Sequence, residues 1–396
     1  MQRILGICGL LALLVPAAGA GTCYVATDGK PENDGSREKP WPSVEFALGK
    51  AGSGCRIVVR AGVYRGPIAI SRAYAGTEQR PTVIQSEEKW KAVVVGAPVH
   101  CIVNGDGCHW LTIDGFEVLG ARSDGIKLNG DHNVVRNCWV HHNTQMGVAM
   151  HGCRDGTIEN NLIEFNGCHV QFDHGVYADG DGLTVRGNIV RHNAGFGLHL
   201  YPALRNSLVA LNLVYGHTHQ AGLIISCPPG GGHNRALHNT IAENERGIAI
   251  WKGDGEILAN NILVASGEAL APDGACRNLR IDNNLCWPKS PHDGPHGVSG
   301  DPRFFDARHG LFWLRPESPA ISKGSGQFAQ AADFWGRAVS RERLPDLGAL
   351  AFEPGLLRPE CRAAWYHGWA YGYQPRQAAN VPDLWVFPPE ATAHAR

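Results

Sequence analysis

Gly175-Val176-Tyr177-Ala178-Asp179-Gly180-Asp181-Gly182-Leu183-Thr184-Val185-Arg186-Gly187-Asn188 carries the plan of the chain in one pass. A glycine opens it, four residues alternate in polarity, a polar turn follows, and an apolar strand leads to an Asn. The layout recurs. Its glycines are Gly125, Gly147, Gly175, Gly197, Gly222 and Gly247, spaced by 22, 28, 22, 25 and 25 residues. The Asn that follows keeps step at Asn161, Asn188, Asn212, Asn239 and Asn261, spaced by 27, 24, 27 and 22. Two independent markers holding one period of this length define a solenoid.

Within each repeat the residues one and three after the glycine are mostly apolar, from Ile126 and Leu128 to Ile248 and Ile250. Period-two alternation turns these inward and their neighbours outward. A second strand repeats the pattern in Val134-Val135, Ile158, Leu183 with Val185, Leu208 and Ile257-Leu258. Short strands without helical periodicity predict an all-β parallel β-helix. Stacked Asn side chains can bond from rung to rung along the axis, so the Asn row is read as structural.

Outside the repeats the reading is coarser. Met1-Gln2-Arg3, the apolar run Ile4 to Val15 and Ala18-Gly19-Ala20 have the pattern of a secretory signal peptide over residues 1–20. The run is too short to span a bilayer, which predicts a secreted or periplasmic protein without a membrane span. Residues 21–98 read as an N-terminal cap and first rungs. Ser43 caps a short helix over Val44 to Lys50, and strands at Arg56 to Val59 and Pro67 to Ile70 flank Gly62-Val63-Tyr64. Residues 99–290 hold the main rungs, 291–353 the last rungs and a C-terminal cap, and 354–396 an aromatic extension with Trp365, Trp369 and Trp385. Eleven of the twelve cysteines follow the signal, which predicts disulfides in an exported protein. Plausible pairs are Cys23 with Cys55, Cys101 with Cys108, and Cys276 with Cys286. The 36 basic and 37 acidic residues lack the excess of a nucleic-acid binder.

The stretch Tyr24 to Glu353 resembles the right-handed parallel β-helix proteins of the pectate-lyase-like superfamily. The carrying residues are Asp34-Gly35 with Pro40-Trp41, Gly62-Val63-Tyr64, Asn188-Ile189-Val190, Gly197-Leu198-His199-Leu200-Tyr201, and Ser318-Pro319-Ala320-Ile321 before Asp346-Leu347-Gly348. The resemblance implies this fold and a carbohydrate-active role, shared among lyases, epimerases and glycoside hydrolases. The Asp-Pro-His-Asp motif of alginate epimerases and the paired-Asp pattern of polygalacturonases are missing.

Reading the outward positions rung by rung gives three columns. Before the glycine stand Asp124, Met146, His174, Phe196, Ala221 and Arg246; two after it stand Lys127, Ala149, Tyr177, His199, Ile224 and Ala249; four after it stand Asn129, His151, Asp179, Tyr201, Ser226 and Trp251. With rungs about 4.8 Å apart, Lys127, His151, His174, Tyr177, Asp179, His199 and Tyr201 form one patch. These types suit β-elimination or epimerisation at a uronic acid, which needs a neutralised carboxylate, a base and an acid. His174 or His199 would be the base, Tyr177 or Tyr201 the acid and Lys127 the neutraliser, with Arg205 or Arg154 nearby. Asp179 would orient a His, while Phe196, Trp251 and Lys252 would line sugar subsites. The 28-residue rung adds a loop, Gly167 to Asp173, as a wall beside the patch. Polar side chains on a solvated face need no function; a site here instead predicts that His199→Ala and Tyr177→Phe each abolish turnover and, since both side chains point outward, leave the melt nearly unchanged.

Two other readings stand beside this one. Asp124, Asp173, Asp179 and Asp181 could supply the carboxyl pair of an inverting hydrolase. A non-catalytic solenoid could bind glycan or handle metal, for which His217-Thr218-His219 has suitable spacing. Calcium is a possible cofactor, although no loop shows its usual ligand spacing. The expected partner is a polysaccharide.

Overall fold

The computed structural model describes residues 21–340 and 342–353. The expected signal segment and aromatic C-terminal extension lie outside the described residues. Three parallel sheets of eleven, nine and eleven strands run the length of the molecule. Each rung contributes one strand to each sheet, as Val176–Asp181, Thr184–Arg186 and Ile189–Arg191 do in turn. The sheets are called A, C and B here, C being the nine-stranded one from Ile68–Ile70 to Leu270–Pro272. This is the parallel β-helix that the repeats predict, with the right hand that the resemblance implies.

Residues one and three after each glycine are buried throughout, from Ile126 and Leu128 to Ile248 and Ile250, and form one continuous core. Sheet B supplies a third strand per rung that the sequence reading did not separate. It begins directly after the Asn, so its pattern merges with that of the preceding strand. Gly62–Arg65, expected as a connection, is one of these strands. The N-terminal helix is present at Val44–Ala51, with the Ser43 hydroxyl accepting the Phe46 N–H at 3.2 Å.

Amide ladders hold the corners. The Asn161 side chain donates to Asn188 Oδ1 at 3.0 Å and to the Val135 carbonyl at 3.0 Å, while its backbone N–H also reaches Asn188 Oδ1. The pattern repeats through Asn212, Asn239 and Asn261 and extends to Asn284. A second ladder runs through Asn143, Asn166 and Asn193, then His217 and Asn244. His217 therefore occupies an amide's place and is 1% exposed, which removes the His217–His219 pair as a metal site.

The second ladder explains the glycines. A Cβ at Gly175 would lie 2.6 Å from Val190 Cγ1 and 2.7 Å from Asn193 Nδ2, and Gly125, Gly147 and Gly222 face Asn143, Asn166 and Asn244 in the same way. The glycine period marks where sheet C crosses the amide row, leaving no volume for a side chain.

The expected disulfides are absent: the ten described cysteines are all free. Cys101, Cys108, Cys138, Cys153, Cys227 and Cys286 are small apolar fillers of the core. Burial pushes the Cys138 and Cys153 thiols up to about 12. The last described strands form an antiparallel pair, Phe304–Asp306 with Leu311–Leu314. Phe312 packs on Tyr215 and joins a cluster with Trp139 and Leu162, so this cap covers the outer face of sheet B. The outer face of sheet C carries the predicted patch.

Two outcomes follow from the ladders. Asn188→Ala and Gly175→Ala should each cost about 2 kcal/mol or more in chemical denaturation, whereas Gly274→Ala, with nothing within 4 Å of its Cβ, should stay within about 0.5 kcal/mol. Burial, foremost, holds His174 and His217 near 3 and His199 and His238 near 4, against an ordinary 6.5. The unfolded chain then takes up more protons than the folded one between those values. Stability is complete above about pH 6.5 and falls toward pH 3–4, by up to about 1.4 kcal/mol per pH unit for each histidine. His217→Asn, which restores the amide, should make that loss shallower in melts taken from pH 7 to 4.

Candidate active site

Strand register aligns the predicted central column. Lys127 pairs with Ala149, Ala149 with Tyr177, Tyr177 with His199, and His199 with Ile224. The outer column is interrupted. Between Ala178 and Gly180 the register shifts, so that Asp179 alone faces Tyr201-Pro202-Ala203 on one side and His151-Gly152 on the other. These are bulges, which re-aim side chains where a flat strand would keep them in file.

The rings converge closely. His174 and His199 lie 4.1 Å apart between centroids at 77°, and Tyr177 meets His199 edge-on at 4.9 Å. Phe196 and Tyr201 stack on His199 at 4.6 and 5.2 Å, both tilted by 15°. Tyr177 also contacts His151 at 4.9 Å, and Trp251 closes the far side against Tyr201 at 5.9 Å. His151 Nδ1 lies 3.3 Å from Asp179 Oδ1, whose carboxylate also takes the Gly152 N–H.

This face is less solvated than outward alternation predicts. His174 is 1% and His199 8% exposed, and Phe196, Ala221, Ile224 and Ala249 form an apolar cluster beside them. The cause is mutual coverage by large rings, one rung apart, together with the inserted loop. Asp173 is buried and accepts the backbone N–H groups of Cys168 and His169 at 2.8 and 2.7 Å, fixing that loop. His199 is therefore part of the packing, and its removal affects stability as well as any chemistry.

The two histidines are held differently. Phe196 N–H donates to His174 Nδ1 at 3.1 Å, so a neutral His174 carries its proton on Nε2. His199 Nδ1 is buried and has no hydrogen-bond partner. Burial and then His199 and His217 depress His174 to about 3, and burial depresses His199 to about 4. Burial, Asp179 and Tyr201 push the Tyr177 phenol up, keeping it protonated near neutral pH.

Several expected members lie apart from the rings. Lys127 stands two rungs before Tyr177 in its column, about 10 Å at the usual spacing. Arg205 pairs across from Asp181 at the strand end and reaches the Pro229 carbonyl. Arg154 is bound to Asp131 at 2.6 Å. Lys252 sits in a left-handed corner with its N–H on Asp273.

His100 was missed. It occupies the column before the glycine, one rung ahead of Asp124, and its Nδ1 lies 3.3 Å from Asp124 Oδ2. Its rung has Cys101 where the others have glycine, so the marker that finds the column fails there. Burial raises the Asp124 carboxyl and lowers His100. The carboxylates of the hydrolase reading are each engaged locally: Asp124 by His100 and Met146 N–H, Asp173 by its loop, Asp179 by His151, and Asp181 by Asn206. Among the described residues no three His, Cys, Asp or Glu side chains converge to hold a metal.

A family model described as the Pel9A-like right-handed β-helix region matches residues 23–197. The uncharacterized protein YwoF of Bacillus subtilis (strain 168) is 26% identical over 204 residues, covering 45% of this chain and 43% of YwoF. The match thus spans less than half of that relative. Pectate lyase L of Paenibacillus polymyxa (strain SC2) is 26% identical over 357 residues, covering 80% of this chain and 76% of that protein. Among solved structures, that of pectate lyase Pel9A superposes with a TM-score of 0.58 at 18% identity, over 84% of this chain and 96% of that one. No helix among the described residues is long and apolar enough to cross a membrane. Fold, repeat and relatives agree on a right-handed parallel β-helix that is similar to those of pectate lyases.

Proposed function

We propose that the chain is an exported polysaccharide lyase acting on a uronate-containing glycan, with the reacting sugar over Tyr177 and His199. One observation carries this reading: on adjacent rungs a backbone-fixed imidazole, an unpartnered imidazole and two phenols meet on one face. Similarity to pectate lyase L supports the substrate class. The apolar run from Ile4 to Val15 supports export.

β-Elimination removes the proton beside the uronate carboxyl, forms a carbon–carbon double bond and breaks the bond to the glycosidic oxygen. In this reading His199 takes the proton and Tyr177 delivers one to the departing oxygen. The His174 Nε2–H and the Tyr201 hydroxyl donate to the carboxylate as charge develops on it. An imidazole with a pKa near 4 is a poor base in the free protein. A uronate carboxylate beside it favours the charged ring and lifts that value toward the working pH. Lys127, two rungs away, fits the carboxylate of a neighbouring sugar better than that of the reacting one. Returning a proton to the same carbon instead would make the enzyme an epimerase.

The test is a panel of acidic polysaccharides assayed together for absorbance of unsaturated uronates and for new reducing ends. Rising absorbance supports the lyase; reducing ends without absorbance overturn it in favour of hydrolysis. Tyr177→Phe should lower turnover by about 10²-fold or more while leaving the melt within a few degrees. The acid limb of kcat/KM reports the free protein. It should fall near pH 4, where His199 becomes protonated, and not near 6.5.

A further inference from the structure

A second ring row lies around the corner from this face. His142, Phe165 and His192 occupy successive left-handed corner positions, with φ of 52° each. Their rings run in file, His142 to Phe165 at 5.6 Å and Phe165 to His192 at 5.4 Å, the latter pair tilted by 16°. The next position is Gly216, also left-handed at φ 79°, and the His192 ring lies where a side chain would be. The row therefore ends there.

Beside it opens a pocket of about 360 Å³ bounded by Phe165, Val170, His192, Ala194, Thr218 and His219. Its outer wall is the loop of the 28-residue rung, pinned by Asp173 and by Gln220 Nε2 on the Val170 carbonyl at 3.4 Å. Three apolar side chains stay open to water here: Phe165 at 44%, Val170 at 41% and Phe172 at 68% exposure. A fixed loop that spends apolar surface this way has the character of a binding surface. The lining contains no Lys, Arg, Asp or Glu, so no permanently charged side chain in it complements a charged group. A volume of this size falls within the usual range for small-ligand sites, about 300–1,000 Å³.

We infer that this pocket is a second sugar site, taking an uncharged pyranose of a polysaccharide on the Phe165–His192 row. The apolar face of such a ring lies on the aromatic row, and its hydroxyls meet Thr218 and His219 at the rim. The site is separate from the groove on sheet C and takes no part in the chemistry proposed there. The same loop walls both, so one glycan with acidic backbone and neutral branches can engage the two together.

The test is affinity electrophoresis of the full protein in native gels containing xylan or β-1,4-galactan, both neutral. Wild type should be retarded. Phe165→Ala, which removes the platform, and Ala194→Leu, which fills the pocket, should each weaken binding about tenfold, while Tyr177→Phe keeps wild-type retardation. Absence of retardation in wild type by either glycan overturns the inference. So does equal retardation of wild type, Phe165→Ala and Ala194→Leu, or a loss confined to Tyr177→Phe, which would place the binding in the groove. Retardation lost in Phe165→Ala upholds this site even if no uronate is ever cleaved.

Discussion

The hydrogen bond from one Asn side chain to the next along the axis is the constraint on which the rest depends. At each rung the amide must donate to a backbone carbonyl of the preceding turn and to the oxygen of the following Asn, while its own oxygen serves the preceding one. A buried amide left half-satisfied costs more than it contributes, so the row is fixed in spacing and in register together. Register in turn fixes which side chains become neighbours across rungs. The meeting of Tyr177 with His199 follows from corners that neither residue touches.

Much of this was legible in the chain. The Gly125-to-Gly222 spacing marks where sheet C passes the second amide row, and the Asn161-to-Asn261 spacing marks the first. The central column, Lys127 to Ile224, came out in the order the sequence implies. What escaped did so for local reasons. His217 takes an Asn's place with a side chain that also presents two polar atoms, so the second row is continuous although its residue type changes. Cys101 stands in for a glycine and hides His100 from the column. The bulge at Tyr201–Ala203 adds residues without altering polarity, and no periodicity argument detects it. Alternation tells which way a side chain points but not what covers it. The burial of His174 and His199 depends on Phe196 and on a loop from another rung.

Burial and reactivity are linked at the ring cluster. Rings one rung apart exclude water from each other, and that exclusion drives both imidazoles toward the neutral form. The backbone then distinguishes them: Phe196 N–H holds His174 in one tautomer while His199 keeps an uncommitted nitrogen. Similar residues thus acquire different capacities from their position in the stack. The cysteines show the converse. Buried thiols such as those of Cys138 and Cys153, pushed up by that burial, act as small apolar groups, and no disulfide links the described rungs.

Because register is carried by whole turns, the molecule is modular in one direction. Excising Gly125 to Met146, one complete turn, would set Gly147 after Asp124 with every inward and outward assignment unchanged, whereas losing a single residue inside a strand would invert the faces beyond it. The length of surface available along the axis is therefore counted in turns. Growth or shortening by duplication and loss of a turn changes reach while leaving the corner chemistry intact. The 28-residue turn shows the other route, in which a rung keeps its place in the stack and gains a wall at its corner.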